Sequence, residues 1–220
     1  MRILILGGTG RTGRILLNEA LKRGHQVSVV VSHEYRLKTD TSRIEIHEGT
    51  PLNKYTVSEA MKGCDAVLST LSISRTSDFP WAELRTSEDF LSLSMHNILE
   101  AAAEQHVNRI IITTAWGTSD TWRDLPFWFR WMVAYSNIYY AYYDHERQEE
   151  MLQKSNTDWT VVRPTILIDS RKEKEKEIKV SLNNTPKPSL AISRLNVARF
   201  MLDVMENDLY IKQMPVISEK

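Results

Sequence analysis

A chain of 220 residues, 42% apolar and 25% charged, is long enough to bury its own core as a single domain without disulfides or a structural metal. Lysine plus arginine balance aspartate plus glutamate at 28 each, which excludes the broad basic footprint of a dedicated nucleic-acid binder. The single cysteine, Cys64, has no partner for an internal disulfide and points to a reducing compartment.

Strand-like and helix-like segments alternate from the N-terminus. Residues 2–6 form a short apolar run that ends at Gly7-Gly8, too short for the apolar core of a secretion signal. Residues 14–23 follow at helical period, with Ile15, Leu16, Ala20 and Leu21 on one side and Gly24 as the stop. Strands are expected at 27–31, 43–47, 66–69, 109–113 and 159–163, and helices at 58–62, 87–105 and 139–153. Residues 125–143 are the longest greasy stretch, but Pro126, Arg130, Ser136 and Asn137 interrupt it, and a membrane span needs about 20 apolar residues. The expectation is a cytoplasmic protein with neither a membrane nor a nucleic-acid partner.

Short apolar strands separated by helices imply parallel βαβ units. The expected fold is α/β, a Rossmann-type doubly wound parallel sheet in the order 3-2-1-4-5-6. Residues 1–220 read as one dinucleotide-binding domain in which 165–220 form a small substrate-side lobe. Within that lobe, 171–177 alternate in charge and read as a solvated loop, and 183–188 are rich in turn formers. Ser193 reads as the N-cap of a helix burying Val197, Phe200, Met201 and Val204, and a last strand is expected at 214–217.

Between the first strand and the first helix lies Gly7-Gly8-Thr9-Gly10-Arg11-Thr12-Gly13. Glycines three apart allow a tight turn, close approach of the backbone to a pyrophosphate, and close helix–strand packing. The helix that starts there aims free N–H groups and a partial positive charge at phosphate. Gly7, Thr9, Gly10, Arg11, Thr12 and Gly13 are therefore candidate cofactor ligands.

This loop, together with Asp65-Ala66-Val67-Leu68-Ser69, Ile110-Ile111-Ile112-Thr113-Thr114 and Trp159-Thr160-Val161-Val162-Arg163-Pro164, resembles the atypical short-chain dehydrogenase/reductase group. Within it the similarity is to NmrA-like and flavin reductase or biliverdin-IXβ reductase-like proteins. Ile192-Ser193-Arg194-Leu195-Asn196-Val197-Ala198 also resembles that group's C-terminal segment. The resemblance implies a bound NAD or NADP. Ser32 stands where relatives often carry Arg, but Arg11 and Arg36 are placed to clamp a 2′-phosphate, so NADP (NADPH) is favoured over NAD.

Ligands of open α/β sheets sit beyond the carboxyl ends of the strands. That rule, with the resemblance, selects Thr50, Leu52, Thr70, Leu71, Thr113, Pro164 and Thr165 as further cofactor contacts; Thr50 stands where relatives commonly have Asp.

Most short-chain dehydrogenases protonate a carbonyl with a Tyr-x-x-x-Lys pair. Tyr139, Tyr140, Tyr142 and Tyr143 are present, yet no lysine stands four residues beyond any of them. The resemblance places His145 where relatives carry the lysine and Thr114 near the catalytic serine. His145 would donate a proton or orient substrate at neutral pH, or else serve only as a surface or capping residue. Thr114 would act in catalysis or simply as a hydrogen-bonding partner. Flat conjugated acceptors demand less acid catalysis from the protein. The expected function is therefore hydride transfer from NAD(P)H to an aromatic or conjugated acceptor, flavin- or quinone-like. The alternative is a non-catalytic, dinucleotide-sensing regulator of the NmrA-like kind.

Ten of the nineteen aromatic residues fall between Trp122 and Tyr143. They fit core packing, a subunit interface or a stacking wall for the acceptor. Exposure of the segment would imply a homodimer.

Overall fold

Strand β1 (Arg2–Leu6) sends Ile3 and Ile5 into one apolar cluster and Leu4 and Leu6 into another, and all four side chains are fully buried. A strand covered on both faces belongs inside a parallel sheet clad in helices. The computed structural model, which describes residues 1–37, 42–169 and 177–220, has that arrangement.

After β1 come α1 (Arg11–Lys22), β2 (Gln26–Val31), β3 (Ile44–Glu48), α2 (Lys54–Met61), β4 (Ala66–Ser69), α3 (Phe90–Gln105) and β5 (Arg109–Thr113). Then follow α4 (Phe127–Ala134), α5 (Ile138–Gln153), β6 (Asp158–Pro164), β7 (Ile166–Ile168), β8 (Ile178–Ser181), β9 (Ala191–Ser193), α6 (Arg194–Glu206) and β10 (Val216–Glu219). The main sheet runs β3-β2-β1-β4-β5-β6-β10-β8, so the expected order is present and two C-terminal strands extend it. Strands β3 to β10 along that order are parallel, with Ile3 opposite Val27 on one side and Ala66 on the other; β8 closes the edge antiparallel to β10. β7 and β9 form a separate parallel pair. Helices α1 and α6 cover the Ile3 face, while α2, α3 and α5 cover the Leu4 face.

Several boundaries differ from expectation for identifiable reasons. Helix α1 starts at Arg11, not 14, so Gly13 lies inside its first turn. Helix α2 starts four residues early because the Asn53 side chain accepts from Thr56 N–H and caps it. Helix α3 starts at Phe90 rather than 87, where the Asp144 carboxylate of α5 accepts from the N–H groups of Leu91 and Ser92 at 2.6 and 3.2 Å. The last strand begins at Val216 because Pro215 has no N–H for the ladder. Ser193 is the N-cap expected for α6, accepting from Asn196 N–H, and the stripe Val197, Phe200, Met201 and Val204 is buried. Helix α4 was not anticipated. Of the charged run 171–177, only Glu177 lies within the described residues, and it is exposed.

Candidate cofactor cleft

The chain must turn sharply between β1 and α1. Gly7 does so at φ +82°, and a Cβ there would stand 2.9 Å from the Thr70 backbone. Gly13 packs closer still: its Cβ would meet the Gly7 carbonyl oxygen at 2.0 Å. No side chain replaces either hydrogen without moving backbone. Gly10 occupies the N-cap of α1 and supplies no side-chain cap, so the first-turn N–H groups carry no such partner. A glycine cradle with an uncapped helix start is the arrangement that accepts a pyrophosphate.

This corner opens into a small cleft at the carboxyl ends of the central strands. Thr12 lines it from α1, Thr70, Leu71 and Ser72 from the chain after β4, and Thr113 and Thr114 from the end of β5. His145 of α5 and Pro164 of β6 complete one side, with Leu167 and Val197 from the C-terminal third opposite. Seven of the expected residues thus converge: Thr12, Thr70, Leu71, Thr113, Thr114, His145 and Pro164. Gly7, Thr9, Gly10 and Gly13 form the loop at its edge. Thr165 is buried beside it with an unpartnered hydroxyl. Thr50 and Leu52 lie exposed between β3 and α2, where Thr50 Oγ1 accepts from Leu52 N–H.

Of the two arginines expected to clamp a 2′-phosphate, Arg11 is held by Asp78. Arg11 donates two bonds to the Asp78 carboxylate, at 2.8 and 2.6 Å, and holds that carboxyl below its usual range. Arg36 closes a 3₁₀ turn after β2, and its side chain lies outside the described residues.

Glu149 organises the floor of the cleft. Its carboxylate accepts from Arg163 Nε at 3.0 Å and Nη2 at 2.7 Å, from Thr114 Oγ1 at 2.7 Å, and from the hydroxyls of Thr118 and Ser119. Burial alone would raise this carboxyl, but the bonds and charge of Arg163, with the hydroxyl donors, outweigh it and hold it below the ordinary value. Thr114 therefore has its proton directed at Glu149 and is left as an acceptor toward the cleft.

His145 lies at the cleft as expected but differs in charge. Burial pushes it down to about 4, against the opposing pull of Glu149 and Asp144, so it is neutral at pH 7 rather than poised to titrate there. Its Nδ1 is buried without a protein partner, which leaves a hydrogen bond for a ligand or water to make. No tyrosine supplies the missing acid. Ala141 stands four residues before His145, and Tyr142 is turned inward, donating to the Trp116 carbonyl while burial pushes its phenol up.

Among the aromatic residues, Trp122, Phe129 and Tyr142 pack against Trp116, Leu125 and Val216. Tyr140 is half-buried, whereas core packing does not account for Phe127, Trp128, Trp131, Tyr135, Tyr139 and Tyr143, which are exposed; none of these seven lines the cleft. Sequence reasoning missed Ser72, Leu167, Val197 and Glu149. Ser72 carried a signal, being two residues beyond Thr70; buried Glu149 carried none that separates it from exposed Glu150.

Comparison with known proteins bears on this site. The sequence model of the NAD(P)H-binding family matches residues 7–208. No curated protein matches the chain by sequence. Among solved structures, the ChuY anaerobilin reductase from Escherichia coli O157:H7 superposes with a TM-score of 0.80 at 18% identity, over 100% of this chain and 97% of that one. A short-chain dehydrogenase/reductase from Veillonella parvula, in complex with NADP, gives 0.79 at 16% identity, over 99% and 94%. A putative NAD-dependent epimerase/dehydratase from Bacillus halodurans gives 0.75 at 21%, over 100% and 94%. These similarities establish the fold, and the match over residues 7–208 establishes the family: the chain belongs to the NAD(P)H-binding family.

Proposed function

We propose that this protein is an NAD(P)H-dependent oxidoreductase that passes hydride to a flat conjugated acceptor of the flavin or quinone type. The observation that carries this reading is the composition of the cleft: a dinucleotide cradle opens onto hydroxyls and a neutral imidazole, with no Tyr–Lys acid beside them. The bound nicotinamide would supply the hydride. The protein's part is to hold the dinucleotide and orient the acceptor. Gly7, Thr9, Gly10, Thr12 and Gly13 hold the pyrophosphate, while Thr70, Leu71, Thr113, Pro164 and Thr165 bound the nicotinamide side. Thr50 and Leu52 lie toward the adenine. Thr114 accepts a hydrogen bond from what enters the cleft, and His145 offers a neutral donor or acceptor whose open Nδ1 a ligand satisfies. Water protonates the reduced acceptor, since neither side chain stores a proton at pH 7.

The Escherichia coli neighbour is an anaerobilin reductase, which supports a conjugated acceptor, and the NADP complex of the Veillonella neighbour supports NADP over NAD. Arg11 and Arg36 would contact the 2′-phosphate, which requires Arg11 to exchange its Asp78 partner for the cofactor. Residues 165–220 serve as the substrate side of a single domain, a role that Leu167 and Val197 in the cleft support. Buried, unpaired Cys64 supports a cytoplasmic setting. The test is anaerobic mixing of the protein with NADPH and FMN or a quinone: matched loss of both chromophores supports a reductase, and binding without turnover contradicts it. The second reading, a dinucleotide sensor, draws on the same lack of a stored proton; it requires protein partners that are captured with NADP and lost without it.

A further inference from the structure

Helix α4 has the sequence Phe127-Trp128-Phe129-Arg130-Trp131-Met132-Val133-Ala134. Its inner face is accounted for, with Val133 buried and Phe129 packed against the Trp116 cluster. Its outer face is also apolar. Phe127, Trp131, Tyr135, Tyr139 and Tyr143 recur every fourth residue, continuing from α4 across the junction onto α5. All five are exposed, between 47 and 76%, as is Trp128 beside them.

Ring contacts join members of the stripe in pairs, and the exposed aromatic surface extends sideways. The rings of Trp131 and Tyr135 lie 5.6 Å apart, and those of Tyr139 and Tyr143 stack at 5.9 Å. Trp81 donates its indole N–H to the Tyr135 carbonyl at 2.7 Å and contacts Phe79, and both are exposed. With ~200 Å² per aromatic side chain, these eight rings present roughly 900 Å² of apolar surface. The largest patch on an ordinary monomer covers about 300–600 Å². One side of a standard protein interface covers about 800 Å².

We propose that this face is a self-association surface on which a second copy of the chain docks about a two-fold axis, α4 against α4. The area matches what a stable dimer buries on each partner. A helix that is apolar all round is one whose outer side is also covered. Charge favours self-pairing: α4 carries a single charged residue, the half-buried Arg130, so two copies meet without a repelling array. Offset and edge-on ring contacts across the axis would seat such a stripe against itself. The low charge also argues against a lipid surface, because interfacial helices carry a lysine- and arginine-rich polar face. His145 lies one turn beyond Ala141 on the same helix as Tyr139 and Tyr143, so the interface would steady the helix that borders the cleft.

Sedimentation equilibrium of the full chain, with Trp131→Glu and Tyr135→Glu as variants, tests the proposal. The wild type is expected at twice 25.5 kDa and each variant at the single-chain mass, with unchanged circular dichroism and unchanged NADPH affinity. Exposed positions are chosen so that folding survives; variants that lose their circular dichroism are replaced by Trp128→Gln, read by the same mass shift. A wild type that sediments as one chain overturns the proposal. So does a single-chain protein whose tryptophan fluorescence is quenched by anionic vesicles or by a planar acceptor, which would assign the face to a lipid surface or to substrate.

Discussion

Glu149 and Arg163 form a two-bonded ion pair, 3.0 and 2.7 Å, whose side chains are 0 and 1% exposed. The pair joins α5 to β6 beneath the cleft, and through Glu149 it directs the hydroxyl of Thr114. Removing one partner leaves an uncompensated buried charge, which costs ~3–5 kcal/mol. Arg163→Met is expected to lower stability by that order in a chemical denaturation curve. A cost within experimental error would mean that the pair is hydrated or open in solution.

Two buried groups beside the cleft contribute to the acid response, and their signs agree. Glu149 is held below its ordinary value, so its contribution is present above about pH 4.3 and is lost as pH falls through its folded value. His145 is pushed down to about 4, so between there and about 6.5 the unfolded chain binds a proton that the folded chain refuses. Stability therefore falls on acidification through that window. His145→Gln is expected to flatten the slope of stability between pH 4 and 6.5, an effect of up to ~3 kcal/mol at the acid end. Melting temperatures across that range, wild type against variant, provide the check; parallel curves would count against a buried neutral imidazole.

How much of this was legible in advance depended on burial. Strands such as β1 and β5 are covered on both faces, so their apolar runs announced a parallel sheet, and the doubly wound arrangement supplied its order. The start of α2 was missed because it depends on one capping residue, Asn53, and α4 because a helix apolar on all sides shows no period. The cradle was legible because glycine spacing reports backbone geometry directly. The state of His145 was not: its neutrality arises from what folding packs around it, which no local pattern encodes.

The cradle makes a sharp distinction between two glycines. Gly13→Ala places a methyl 2.0 Å from the Gly7 carbonyl oxygen, whereas Gly24→Ala, at φ +83°, meets nothing within 4 Å. The first is expected to weaken NADPH binding by at least tenfold, about 1.4 kcal/mol. The second should cost about 1–2 kcal/mol of stability through left-handed strain and leave binding alone. Fluorescence titration paired with thermal melts separates them; equal binding by both variants would contradict the cradle's role.

Arg11 and Asp78 are both exposed, and exposed pairs contribute about 0–1 kcal/mol to stability. Arg11→Ala should therefore leave the melting temperature nearly unchanged while weakening NADPH more than NADH. An equal effect on both nucleotides would remove Arg11 from the 2′-phosphate.

Hydride transfer from bound cofactor to acceptor is tested most directly with NADPH deuterated at the transferring position of the nicotinamide ring. With FMN or a quinone present, the purified protein is expected to consume NADPH in an acceptor-dependent reaction, and deuteration should slow the single-turnover rate. Tight binding of NADPH with no acceptor-dependent oxidation at high protein concentration would contradict the reductase assignment.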